Sequence, residues 1–325
     1  MSELSLDVCD DWGMSTVPQV SVFGEALIDL IVPEEGEVHA VAGGAPFNTA
    51  RALGRLGVAT AFIGSIAQDR FGDRLVAQLV ADEVDVAHVH RTNSPTTLAL
   101  AELSTNGSAA YRFYVDGTSA CESFEGLPRQ DGGWLMTGGL GLVLNPLADR
   151  IVTCIAERPA NTRAMIDINC RPLVISRPDE YRERLAKVLP LVDVVKVSDE
   201  DLAYLYPEVS ANDAARKVLE SGPSLVLLTA GSDPVQAITA SGSLMVEVPS
   251  VDVVDTVGAG DTFGAGFLAW WVHHGMNHDV DIASLTDLDL VTRAVTTGVH
   301  ASTLTVGRRG ADPPYRRELD DELWR

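Results

Sequence analysis

Residues 255–267 read DTVGAGDTFGAGF. Asp255 and Asp261 flank a Gly-Ala-Gly bend, Gly258 to Gly260, at the point where a helix opens. Small residues at a helix start leave unpaired backbone N–H groups free to point at an incoming anion. A carboxylate beside such a hole can take a proton from a hydroxyl as the hydroxyl attacks phosphorus. A kinase acting on an alcohol needs both parts in one place. The plainer reading is helix packing, because Gly260 and Gly264 would let another element approach closely. Packing alone explains neither aspartate nor the bend.

Outward from this stretch, short apolar runs alternate with helical patterns over most of the chain. The runs VSVF, TAFIGSI, AMIDIN, VDVVKVS and SLVLLTAG read as buried strands. FNTARALGRLG, FGDRLVAQLVADE, PDEYRERLAKVL and NDAARKVLESG read as amphipathic helices between them. This alternation predicts an α/β fold with a mostly parallel sheet and helices on both faces. One part breaks the pattern. TTLALAEL and AAYRFYV flank STNGS, whose Asn106-Gly107 is a hairpin signal, and GEVHAVAGG is a further extended piece. These predict a small β-sheet, from about 31–44 and 96–118, either an ordinary edge hairpin or a lid that excludes water.

With 325 residues, 46% of them hydrophobic, the chain can bury a sizeable core, and no composition shift marks a second full domain. The reading is a loose leader over 1–18 and one domain over 19–325. Lysine and arginine number 24 against 46 acidic residues, a net charge of −22. That field argues against nucleic acid and anionic membranes as partners. The N-terminus lacks the basic start and apolar stretch of a signal peptide, and no long apolar run suggests a membrane span. Cys9, Cys121, Cys154 and Cys170 are scattered, as reduced thiols are, so a cytoplasmic protein is expected. His273, His274 and His278 cluster without a Cys or carboxylate at ligand spacing.

The chain contains no G-x-x-x-x-G-K-[ST], no protein-kinase motif set, no G-x-S-x-G and no H-E-x-x-H. It does contain GGAPFNTARALGRLG at 43–57. Gly43, Gly44 and Asn48 at a helix start suit close approach to a polyhydroxyl ligand, although a tight strand-to-helix turn would read the same way. GGAPFNTA followed by DTVGAGDTFGAGF resembles the ribokinase-like, or PfkB, family of carbohydrate kinases, over roughly residues 19–314.

The resemblance implies a Rossmann-like core with a β-lid, and transfer of the γ-phosphate of Mg·ATP to a sugar hydroxymethyl group. It implies Asp261 as catalytic base and the N–H groups of Gly258, Ala259 and Gly260 as the anion hole. Asp29, Gly43, Gly44 and Asn48 match the sugar-contacting positions, and Arg171 in DINCRP is a candidate to face the substrate. Ser198, Thr229, Gly231 and Gly260 fall where the family holds ATP. Glu200 and Asp201 in VSDEDL fall where it holds Mg²⁺ through water; helix N-terminal charge is the alternative for both. Several members also bind K⁺ beside the anion hole; the matching positions are Asp255, Val257, Arg308 and Gly310, with Pro314 nearby.

GEALIDL, GGAPFN and FY-x-x-GTSA look most like the bacterial fructokinase branch, which makes D-fructose the leading substrate. Val115 follows Phe113 and Tyr114 where 2-keto-3-deoxygluconate kinases usually carry an arginine. NPLAD at 145–149 departs from the fructokinases, which tend to have a glutamate where Asn145 stands. Ribokinase activity is another alternative, and a non-catalytic sugar or nucleotide binder is the alternative of another class; a binder has no chemical need for Asp261 in an intact turn. An edge strand of the lid is open to pairing in a homodimer.

Overall fold

The computed structural model describes residues 17–103, 109–124, 132–275 and 281–325. The leader before residue 17, Cys9, the Asn106-Gly107 turn and His278 lie outside the described residues. The expected buried runs form one sheet. From one edge its order is Gly242–Val246, Asp233–Thr239, Leu225–Ala230, Val194–Ser198, Arg163–Asp167, Trp134–Gly138, Val20–Phe23, Thr60–Ala67 and Val84–Asp85. Val89–Thr92 pairs with the later half of Thr60–Ala67. All neighbours are parallel except at the first edge, where two antiparallel pairings add a hairpin.

A parallel sheet is stable only when both faces are covered, so its strands are apolar throughout and successive residues serve opposite cores. One face carries Val20, Val22, Phe62, Trp134, Met136, Met165, Val194, Leu225 and Leu227. It packs on the helices Ala45–Arg55, Ala259–His273 and Leu288–Val306. The alternate residues Phe23, Ile63, Leu135, Ile166, Val195, Val197 and Val226 pack on Leu147–Ala156, Pro178–Val188 and Ala211–Glu220. Ala259–His273 is buried all the way from Asp261 to Val272, as a helix apolar on every side must be. It crosses Leu288–Val306 so closely that a Cβ on Gly266 would lie 2.9 Å from Gly298 Cα. Packing therefore accounts for Gly266 within the opening stretch. A Cβ on Gly264 would make only ordinary 3.6 Å contacts with two methionine methyls.

A second sheet has the order His39–Gly43, Leu27–Pro33, Leu98–Leu103, Ala109–Tyr114. Its central pair is parallel and the outer pairs antiparallel. The expected boundary near residue 31 falls too late: this sheet begins at Leu27. The chain turns out of Val20–Phe23 at Gly24, whose φ is +144°. Leu27 and Ala99 anchor the small sheet on Ala120, Leu140 and Leu144. Cys121, Cys154 and Cys170 are free thiols. No helix among the described residues is long and apolar enough to cross a membrane.

Candidate active site

The carboxyl ends of the parallel strands, where ligands bind in open α/β sheets, meet the N-terminus of Ala259–His273. Gly258 caps this helix in the left-handed region, with φ +78°. A Cβ on Gly258 would stand 2.6 Å from that of Ala311. Asp255 fastens the two segments: one carboxylate oxygen accepts the Val257 N–H at 3.0 Å and the other the Gly310 N–H at 2.9 Å. Val254 and Asp255 N–H groups both donate to Val306 O. Of the three N–H groups expected in the anion hole, that of Ala259 makes a long 3.3 Å bond to Thr256 O. The N–H groups of Gly258, Gly260 and Asp261 have no partner among the described residues, and Gly260 is exposed.

Asp261 occupies the first turn and is buried. Asn48, from the first turn of Ala45–Arg55, donates its amide N–H to Asp261 Oδ2 at 2.9 Å, while Asn48 Oδ1 is buried without a partner. Burial pushes the Asp261 carboxyl up to about 7; the Asn48 bond opposes this, nearby Asp167 adds to it, and Lys196 and Arg171 oppose it. Asp29 is half-buried on the small sheet, raised to about 6 by burial against the opposing charge of Arg171. A Cβ on Gly43 would overlap the Asp29 carboxylate, and one on Gly44, whose φ is +109°, would stand 2.7 Å from Glu25 O. Gly43 lets the strand-to-helix turn pass directly over Asp29, and Gly44 lets it pass over the backbone at Glu25. Arg171 bonds to Asn169 and to Cys170 O, and its charge reaches Asp29, Asp167 and Asp261.

The structure thus brings Asp29, Asn48, Arg171 and Asp261 to one place. On the neighbouring strands Ser198 and Thr229 are register partners, with Gly231 in the turn beyond, at φ +55° with open space around it. The Ser198 side chain caps Asp199–Leu205 by accepting the Asp201 N–H at 3.0 Å. Asp201 is spent on structure: its two oxygens accept the N–H groups of Ser198, at 2.9 Å, and Cys170, at 2.6 Å. Glu200 is exposed. Among the described residues no three His, Cys, Asp or Glu side chains gather as a metal cluster. His273 bonds to Leu56 O and His274 stacks on Trp270. Val257 is exposed, and the Arg308 guanidinium is held by Glu318 and Asp312, which leaves only its carbonyl as a ligand. Asn145 is exposed and accepts from Arg184 at 2.6 Å.

Three buried charged residues around the site, Glu25, Asp167 and Lys196, were not singled out from sequence. Glu25 accepts N–H bonds from Ala45 at 3.2 Å and Gly141 at 2.9 Å, tying the start of Ala45–Arg55 to the segment after Trp134–Gly138. Burial raises its carboxyl to about 7. Lys196 and Asp167 form an ion pair at 2.7 Å. Their signal was a charge inside a strand apolar on both faces.

The pattern that defines the pfkB family of carbohydrate kinases matches residues 17–317. A fructokinase of Rhizobium leguminosarum bv. trifolii is 37% identical, over 76% of this chain and 77% of its own length. A fructokinase of Klebsiella pneumoniae is 30% identical over 94% of this chain and 99% of its own. Among solved structures, aminoimidazole riboside kinase from Salmonella enterica, complexed with aminoimidazole riboside and an ATP analogue, superposes with a TM-score of 0.81. Its identity is 25%, with 94% of this chain and 99% of that one covered. The chain belongs to the pfkB family of carbohydrate kinases.

Proposed function

We propose that this kinase transfers the γ-phosphoryl group of ATP to a primary hydroxymethyl group of a furanose-type sugar, D-fructose before others. The observation that carries this is Asp261, a buried carboxylate in the first turn of a helix whose leading N–H groups are unpartnered. Asp29 and Asn48 would accept and donate to sugar hydroxyls and hold one of them against Asp261. As its oxygen bonds to phosphorus, the hydroxyl gives its proton to Asp261. The bond from phosphorus to the β,γ-bridging oxygen breaks and ADP leaves. The helix N-terminus would hold the charge that spreads over the phosphoryl oxygens.

Mg²⁺ would enter with the nucleotide and neutralise its phosphates, with water completing its shell. Asp201 is already committed to two backbone donors, so the exposed Glu200 is the better candidate to meet that shell. A K⁺ site is proposed at Asp255 and the carbonyls of Val257, Arg308 and Gly310; the Asp255 carboxylate, itself bonded to two backbone donors, would serve mainly by holding the two carbonyl-bearing segments together. Turnover is expected to be severalfold higher in K⁺ than in tetramethylammonium; equal rates would remove this part of the reading.

Fructose is favoured over a sugar acid because Val115 adds no cation; it packs on the buried cluster under the small sheet. ADP release measured over fructose, ribose, 2-keto-3-deoxygluconate and aminoimidazole riboside tests the assignment. The highest kcat/KM is expected for fructose, and activity confined to the sugar acid or to the riboside would overturn it.

The pH profile follows from the Asp261 carboxyl, raised to about 7. A base must be ionised to accept a proton, so kcat/KM should fall about tenfold per pH unit below that value. Glu25 titrates near the same pH but touches only backbone, so Glu25→Gln should retain the acid limb. A limb lost with Glu25→Gln would reassign it.

A further inference from the structure

We infer that Lys196 is a further catalytic residue, whose ammonium, leashed to Asp167, binds an oxygen of the transferring phosphoryl group at the N-terminus of Ala259–His273. The inference rests on the phosphoryl-transfer reading and names a group that the helix motif does not contain.

The placement begins with strand register. Asp167 and Lys196 are direct partners on parallel neighbouring strands, so their side chains leave the sheet on the same face. That face is the one carrying Met165 and Val194, and it packs on Ala259–His273. Both residues stand at the carboxyl end of the sheet and both are buried, Lys196 to 5% exposure and Asp167 to 2%. The ammonium lies 3.0 Å from the place a Cβ on Gly260 would take. It therefore borders the turn where the N–H groups of Gly258, Gly260 and Asp261 stand unpartnered.

Three features of this lysine fit a missing anion better than a finished ion pair. An ammonium has three donors. Among the described residues Asp167 is its only hydrogen-bond partner, at 2.7 Å, so the remaining donors are unmet in a buried setting. The partner is incomplete as well, because Asp167 Oδ1 is buried with nothing bonded to it. Finally, a cation beside a helix N-terminus sits at the wrong end of the dipole, where it weakens the fold unless an anion lies between. Burial works against the charged lysine, but the bond to Asp167 and the charges of Asp167, Asp201 and Asp261 together outweigh it and hold the ammonium charged. A phosphoryl oxygen would satisfy the lysine and the open N–H groups together. Lys196 keeps its proton throughout, and the proton released by the sugar goes to Asp261.

The competing reading is a purely structural pair, in which Lys196 does no more than neutralise Asp167. Buried pairs of that kind are often replaceable as a unit, whereas removing one partner alone is destabilising. The test uses the full chain as Lys196→Met and as the double variant Lys196→Met with Asp167→Asn, each checked for folding by thermal melting. The double variant leaves neither member of the pair as an unpaired buried charge and carries the test if the single one does not fold. Calorimetry without sugar compares ADP with the β,γ-imido analogue of ATP. Affinity for the analogue should fall about tenfold or more in both variants, the weight of one charge-assisted contact, while that for ADP changes little. Turnover should fall by about 10²–10³, the usual cost of losing one preorganised donor to a transition state. Parallel loss of both nucleotides, unchanged discrimination between them, or recovery of turnover in the double variant would overturn the assignment. Failure of the wild type to phosphorylate any sugar would count against the parent reading alone, since the nucleotide comparison needs no sugar.

Discussion

Asp261→Asn is expected to lower kcat by about 10²–10⁴, the usual contribution of a positioned base. The substitution keeps the shape and the bond from Asn48 but removes the site that takes the proton. Nucleotide affinity should change little, so the loss falls on kcat rather than on nucleotide KM. The same variant should be more stable than the wild type at pH 8. The carboxyl lies at about 7 in the folded chain against an ordinary value of 3.8, so the folded state binds its proton more tightly than the unfolded state. Stability from this group is present at low pH and is lost as pH rises from about 4 to about 7. The gain in Asp261→Asn should therefore be largest at pH 8 and shrink toward pH 5. Near-wild-type turnover in a folded variant would remove Asp261 as the base; a gain that grows toward acid pH would contradict its burial as an unfavourable charge.

Gly258→Ala is the second large effect expected. Its φ of +78° costs an L-residue about 1–2 kcal/mol. The added methyl must also clear Ala311, 2.6 Å away, and that pushes apart the two segments that Asp255 holds together. The helix N-terminus then shifts under the phosphates. Turnover should drop by about 10²–10³, as when an anion-hole donor is withdrawn. Gly275 provides the control: it lies at φ +72° just past the other end of the same helix, with no atom within 4 Å of a Cβ there. Gly275→Ala should lose comparable stability and retain turnover. Equal losses of activity in the two variants would show that the effect is strain alone.

Much of the architecture was legible because a parallel sheet covered on both faces writes its strands as continuous apolar runs. The runs TAFIGSI, AMIDIN, VDVVKVS and SLVLLTAG coincide with strands of one sheet that end at Ala67, Asp167, Ser198 and Ala230, and the helices between them lie where the periodicity puts them. Trp134–Gly138 was not read as a strand although it lies mid-sheet, between Val20–Phe23 and Arg163–Asp167. It is five residues long and sits between two glycine pairs, so its local sequence looks like a turn.

In the site, the turn at Gly258 is a local motif and can be read from adjacent residues. The pairing of Asp167 with Lys196 is not local. It is made by strand register between segments 29 residues apart, and nothing near either residue announces the other. Glu25 is similar, because its partners Ala45 and Gly141 converge only in the folded chain. Asp201 shows the opposite limit. Its place in a family motif suggested metal, while the backbone donors that claim its oxygens could be seen only in three dimensions.

In the proposed reaction the carboxylate and the helix N-terminus act together on a sugar hydroxyl. Phosphorus NMR of the products from ATP, Mg²⁺ and D-fructose tests it most directly. The expected products are ADP and a phosphomonoester of a primary sugar hydroxyl in equal amounts, with Asp261→Asn forming neither at a comparable rate. ADP accompanied only by inorganic phosphate, or a phosphoester formed as fast without the Asp261 carboxylate, would contradict it.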